Sequence, residues 1–165
     1  MVFIGIMVLL AAGDLFLKWL IEGQDEGRFP RPLEKTGGRI LLYRNHNAGF
    51  PFGFMEKHGE LVRTVPLVVI SGLGGVFFYL LQNKKGHVVE KTGLAILLGG
   101  AVSNLYDRYV RRYVVDYFSL QFGWLKKVVF NLGDLFVFAG SGILMAVELF
   151  REVKALFPPK AIKES

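Results

Sequence analysis

The chain has 165 residues, 52% of them hydrophobic, with a mean hydropathy of +0.40, 15 phenylalanines and a formal charge of +6. That length suits one domain, and the absence of cysteine excludes a disulfide framework, a thiol nucleophile and lipid attachment to the protein's own side chains. The basic residues flank apolar runs instead of forming one tract, which points to anionic lipid headgroups and away from nucleic acid.

The first apolar run covers 2–21 and is broken only by Asp14 and Lys18. It has no basic start and no Ala-x-Ala site after it, so it reads as a retained helix and not a removed signal peptide. Residues 22–62 are too many for a plain connector. Within them 23–32 is turn-rich, with Pro30 and Pro32, 39–44 predicts a short strand, and 45–53 (Asn-His-Asn-Ala-Gly-Phe-Pro-Phe-Gly) predicts a turn. The expectation is a small sheet or cradle lying on the outer membrane surface. The second run covers 65–81, with Pro66 at a first-turn position or kink. The third covers 93–106, and the fourth covers 128–150 with Asp134 and Glu148 inside it.

A bilayer core of roughly 30 Å needs about 20 helical residues, so the shorter runs must draw on flanks such as Arg63-Thr64 and 107–110. A soluble bundle would need polar faces at helical spacing, which 2–13 and 67–81 do not offer. Clusters of small residues predict close helix approach in lipid: Gly72, Gly74 and Gly75; Gly99 and Gly100 with Ser103; Gly140, Ser141 and Gly142. The fold class is therefore mainly α and integral to a membrane: a four-transmembrane-helix bundle with a small β cradle on the extracytoplasmic side. Residues 1–165 form a single membrane domain, with helices at 2–21, 62–82, 90–109 and 128–150. The cradle covers 22–61, an extracytoplasmic loop 107–127, and a cytoplasmic tail 151–165.

Four spans leave both termini and the basic 82–91 turn on one side, together with Arg151, Lys154, Lys160 and Lys163. The positive-inside rule makes that side cytoplasmic. The basic residues opposite, among them Arg28, Arg31, Arg39, Arg44, Arg108, Arg111 and Arg112, are diluted over longer loops and partly balanced by Glu22, Asp25, Glu26 and Glu34.

The polar residues converge on the other side. Asp14 and Lys18 lie near the end of the first helix, Asn104, Asp107 and Arg108 at the end of the third, Asp116 in the following loop, and Asn131 and Asp134 at the start of the fourth. Up-and-down connectivity puts all four groups at one membrane face. Asp14 and Lys18, spaced i, i+4, read as an intramembrane ion pair, and Asp107-Arg108 as a supporting pair at a helix end. Asn131 and Asp134, spaced i, i+3, can address one site. With helix four starting near Val128, Asp134 lies about 9 Å into it at 1.5 Å per residue. A carboxylate at such depth is costly and therefore a functional hypothesis. Alone, Asp134 could complement the helix macrodipole. Paired with Asp116 it supplies the two carboxyls that can share one proton, activate a water and polarise a carbonyl, as in aspartic proteolysis. The pair titrates as a unit, so neither role belongs to one residue.

His46, His58 and His87 show no metal-ligand spacing, and residues 56–60 (Glu-Lys-His-Gly-Glu) read as a solvated loop. Serine-hydrolase and Walker-type loops are missing as well. The rival from another class is a membrane transporter or binder in which Asp14, Lys18 and Asp134 form a proton or ion path.

Five blocks resemble the lipoprotein signal peptidase (signal peptidase II) family of bacterial membrane aspartic proteases. They are Asp14-Leu-Phe-Leu-Lys18; Asn45-His-Asn-Ala-Gly-Phe50; Gly99-Gly-Ala-Val-Ser-Asn104-Leu-Tyr-Asp107-Arg108; Val114-Val-Asp116-Tyr117; and Phe130-Asn131-Leu-Gly-Asp134. The resemblance implies removal of the signal peptide from diacylglyceryl-modified prolipoproteins by cleavage before the lipidated cysteine, in the bacterial cytoplasmic membrane. Asp116 and Asp134 would be catalytic; Asp14, Lys18, Asn45, Asn104, Asp107, Arg108 and Asn131 would bind substrate or brace the pair. No metal, cofactor or nucleic acid is implied; the partners are prolipoprotein substrates and membrane lipids. A protease of unlipidated membrane peptides is the nearer rival. Four positions depart from the family pattern: Asn47 for Gly, Gly49 for Ala or Ser, Ser103 for Gly, and Gly133 for Ala. Asn tolerates positive φ, which would preserve a turn at 47, and Gly133 would loosen the helix start by roughly 1 kcal/mol relative to Ala.

Overall fold

Apolar runs too long for a soluble core become four helices in the computed structural model, which describes residues 1–49, 58–83 and 85–157. Helix α1 spans Val2–Glu22, α2 Gly59–Gln82, α3 Val88–Val110 and α4 Leu132–Leu156. Among the described residues these four helices are long and apolar enough to cross a membrane. Strand β1 is Arg31–Pro32, β2 Ile40–Asn47 and β3 Val114–Leu120; they form one antiparallel sheet in the order β1-β2-β3. Short 3-10 helices cover Glu26–Arg28 and Gly123–Lys127.

Helix α3 is the hub, packing against α1, α2 and α4. It is the least apolar of the four and also the most buried. This inversion is expected where lipid is the solvent: the outward faces carry Phe78, Tyr79, Met145 and Phe150, all exposed, and the polar residues turn inward. On α1 the buried positions are Ala11, Asp14, Lys18 and Ile21, at the 3-4-3 spacing of a single helix face. At the far end of the bundle Lys91 donates to the carbonyls of Asn83 (2.5 Å) and Gly86 (2.8 Å), closing the α2–α3 turn.

The seam between α3 and α4 is built on glycine. A Cβ at Gly100 would stand 2.1 Å from the Gly133 carbonyl oxygen, and one at Gly140 would stand 2.6 Å from that of Gly93. Gly93 and Gly100, like Gly133 and Gly140, are seven residues apart, so each pair returns to the same helix face two turns later. The predicted approach at Gly72, Gly74 and Gly75 does not occur, because a Cβ at any of them meets nothing within 4 Å. Helix α2 is peripheral, and those glycines lie away from its contact with α3.

Several boundaries differ from expectation. Pro66 lies inside α2, past the first turn, where the missing N–H removes one helical bond. Strand β2 runs on through Asn45, His46 and Asn47, expected as turn, because pairing with β3 (Asn45 opposite Asp116, Asn47 opposite Val114) overrides the turn preference of asparagine. Among the described non-glycine residues, positive φ falls at Lys35, His87 and Arg112, so Asn47 does not fill a left-handed position. Residues 50–53 of the expected turn, 56–57 of the polar loop, Lys84, and Lys160 and Lys163 of the tail lie outside the described residues.

Candidate active site

Asp116 is not in a loop but in the middle of β3. The chain leaves that strand, makes the 3-10 turn Gly123–Lys127 and comes back antiparallel, so that Phe118 donates to the Phe130 carbonyl (3.0 Å) and Phe130 to the Phe118 carbonyl (2.7 Å). This bridge holds the residues before α4 extended, which is why the helix starts at Leu132 and not near Val128. Asp134 is accordingly in the first helical turn, not about 9 Å deep. Asn131 caps the helix in a reciprocal box: its Oδ1 accepts from Asp134 N (2.9 Å), and Asp134 Oδ2 accepts from Asn131 N (3.2 Å). Its Nδ2 is left to donate to Asp116 Oδ1 at 2.7 Å. One asparagine thus touches both carboxyls.

The remaining oxygens are held from other elements. Asn104 Nδ2 on α3 donates to Asp134 Oδ1 (2.8 Å), and Asn47 Nδ2 at the end of β2 donates to Asp116 Oδ2 (3.1 Å). Each of the four oxygens therefore accepts one N–H. Burial, and next the facing Asp134 carboxylate, push the Asp116 carboxyl up to about 7, against the opposing pull of the Asn131 and Asn47 amides and the Lys18 charge. Arg108 on α3 faces both carboxyls electrostatically, with its guanidinium 3.4 Å from the Gly49 carbonyl.

Behind the pair lies a sealed charge cluster. Lys18 Nζ, fully buried, meets Asp14 Oδ2 (2.8 Å), Asp107 Oδ2 (3.2 Å), Asn104 Oδ1 (2.7 Å) and Ser103 Oγ (3.2 Å). Ser103 Oγ in turn donates to Asp14 Oδ2 (2.6 Å), and Arg111 pairs with Asp107 Oδ1 (2.5 Å). Two acids and two bases balance, as burial demands. The cluster also carries the strand: Val115 N donates to Asp107 Oδ2 (3.1 Å). Tyr117 joins the two halves, its hydroxyl donating to Asp14 Oδ1 and accepting from Leu132 N, each at 3.0 Å.

A cavity of about 470 Å³ opens in front of the carboxyls. Asn45, Asn47, Arg108, Lys127, Asp116 and Asp134 line its polar side, and Val128, Val129, Phe130, Trp124 and Phe138 its apolar side. Trp124 and Phe138 are exposed, so the apolar side opens outward. Of the predicted site residues, Asp116, Asp134, Asn131, Asn104, Arg108 and Asn45 meet at or beside this cavity. Asp14, Lys18 and Asp107 do not reach it and touch it only through Asn104 and β3. The ion pair expected between Asp14 and Lys18 is present but is half of a larger cluster that Ser103, at a departure from the family pattern, completes. Asn47 and Tyr117 were missed as carboxyl ligands and links. The signal in the chain was that both lie inside the quoted blocks, Asn47 two residues after Asn45 and Tyr117 next to Asp116. Gly133 packs against Gly100, so its small size serves the seam and does not merely loosen the helix start.

The family model of signal peptidase (SPase) II matches residues 6–150. A lipoprotein signal peptidase of Mesorhizobium japonicum is 31% identical over 110 residues, covering 67% of this chain and 64% of that protein. The lipoprotein signal peptidase of Clostridioides difficile is 33% identical over 110 residues, covering 66% of this chain and 70% of its own length. Two solved structures of bacterial membrane enzymes share the fold, with TM-scores of 0.77 and 0.75 at 18% identity; they cover 99% and 90% of this chain and 94% and 92% of theirs. A match running through all four helices and the sheet, with the motif blocks in order, makes this chain a member of the signal peptidase II family.

Proposed function

We propose that this multi-pass membrane protein is an aspartic endopeptidase that removes the signal peptide from diacylglyceryl-modified prolipoproteins, cutting on the N-terminal side of the lipidated cysteine. The observation that carries the reading is the carboxyl pair itself: Asp116 and Asp134 joined through Asn131 at the mouth of a half-apolar cavity. Two acids so placed share a proton at neutral pH. The ionised carboxyl takes a proton from water as the oxygen attacks the scissile carbonyl, and the protonated one donates to the carbonyl oxygen. Collapse of the tetrahedral diol breaks the C–N bond: the proton taken from water passes to the leaving amine of the lipidated cysteine, and a diol hydroxyl returns its proton to the other carboxylate, restoring the singly protonated pair. Asn47, Asn104 and Asn131 hold the oxygens in place, and Arg108 offers charge beside them. Asp14, Lys18 and Asp107 brace the helices behind. The outward-opening apolar wall of Val128, Val129 and Phe138 suits a substrate whose acyl chains stay in the bilayer. In this reading residues 1–165 work as one domain in the bacterial cytoplasmic membrane, with both termini cytoplasmic and the carboxyls near the extracytoplasmic face.

The test is signal-peptide release by the detergent-purified protein from a diacylglyceryl-modified prolipoprotein and its unlipidated counterpart. Cleavage of only the lipidated substrate, lost in both Asp116→Asn and Asp134→Asn, is expected. Equal cleavage of both substrates removes the lipid specificity, and failure of well-folded protein to cut either removes the proteolytic reading.

A further inference from the structure

We propose that Asn47 is a positioning residue for Asp116: its side-chain amide holds the carboxylate's second oxygen while anchoring the segment that leaves β2, and so sets the pH window in which the carboxyl pair works. This inference rests on the proteolytic reading above.

The geometry leaves little freedom in how the amide is oriented. Asn47 Oδ1 accepts from Gly49 N at 3.1 Å, closing a tight turn at the strand end. A backbone N–H needs an acceptor, so the oxygen must point to Gly49 and the nitrogen must point to Asp116 Oδ2, 3.1 Å away. With Asn131 on Oδ1 at 2.7 Å, both oxygens of Asp116 accept an amide N–H. The ionised carboxylate uses both bonds; adding a proton to either oxygen forfeits one of them.

Several charged groups bear on Asp116. Asp134 on α4 and burial favour its protonated form, and Lys18 on α1, Arg108 on α3 and the two amides favour the ionised one. Lys18 and Arg108 belong to the helix bundle, and Asn131 also caps α4, so altering them disturbs the packing. Asn47 sits at the end of β2, outside the helices, and lines the cavity. It can be altered with the helices left in place.

The experiment compares pH profiles of kcat/KM for the lipidated substrate in the wild type, Asn47→Ala and Asn47→Asp, with thermal unfolding measured alongside. Asn47→Ala should move one limb of the profile upward by about one pH unit, the worth of one hydrogen bond to an ionised group. Asn47→Asp keeps an oxygen for Gly49, and thus the turn, but sets a carboxylate against a carboxylate; its profile should move further. A residue that only shaped the turn would lower the unfolding temperature in Asn47→Ala and leave both midpoints in place. Unmoved midpoints in Asn47→Ala, or in Asn47→Asp if the alanine variant does not fold, overturn the inference. Wild-type cleavage that survives Asp116→Asn would instead overturn the proteolytic reading.

Discussion

Replacing Gly100 by alanine tests whether the α3–α4 seam sets the position of Asp134 in the proposed carboxyl pair. The added Cβ would stand 2.1 Å from the Gly133 carbonyl oxygen and 2.9 Å from Phe136 Cβ, whereas real Cβ contacts essentially never fall under 3.0 Å. The obstacle is backbone in the first turn of α4, one residue before Asp134, and it cannot rotate away. The helices must therefore part by about 0.9 Å there, the shortfall between those two distances. The Asn104–Asp134 bond starts at 2.8 Å and would stretch out of hydrogen-bonding range. Overpacking of this kind costs about 1–3 kcal/mol of stability, and a 1 Å misplacement of a catalytic group about a hundredfold in rate. Gly100→Ala should thus lose about two orders of magnitude in kcat/KM for the lipidated substrate while keeping its helical content. Gly142→Ala, on the same helix as Asp134 but with nothing within 4 Å of its Cβ, serves as the neutral control. A Gly100→Ala enzyme within a few-fold of wild type would refute the argument that this seam positions Asp134.

Two further outcomes follow from the buried charges. Lys18→Met leaves Asp14 without its cation at zero exposure and should destabilise the fold by about 3–5 kcal/mol in thermal unfolding; removing Asp14 as well should recover part of that loss, since Asp107 retains Arg111. An additive double variant would refute the pairing. Because folding raises the Asp116 carboxyl from 3.8 to about 7, the folded state holds a proton there that the unfolded chain has released. Between those values stability contributed by this group falls as pH rises, and below about pH 4 its penalty is absent. The pH dependence of wild-type unfolding temperature should therefore slope more steeply downward from pH 4 to 7 than that of Asp116→Asn; parallel slopes would refute the raised carboxyl.

The sequence by itself determined the membrane class, the number of spans and the face on which the polar residues gather, because hydropathy and up-and-down connectivity are local properties summed along the chain. It also marked Asp116 and Asp134, since a carboxylate beside a long apolar run has few structural excuses. What the tertiary structure decided was every partner. Asp116 looked like a loop residue because β3 is buried on both faces and shows no alternation to betray a strand. The apolar run places Asn131 inside a helix begun near Val128; that it caps α4 instead, with its spare nitrogen reaching Asp116, depends on the Phe118–Phe130 bridge. Lys18 pairs locally with Asp14 as the i, i+4 spacing says, yet its other ligands come from α3, more than eighty residues away. The glycines of α2 and of α3 look alike in one dimension, and only packing shows that Gly100 is pressed against a backbone while Gly74 meets open space. Local pattern sets which residues are costly to leave unpaired; only the folded chain decides which distant group relieves them.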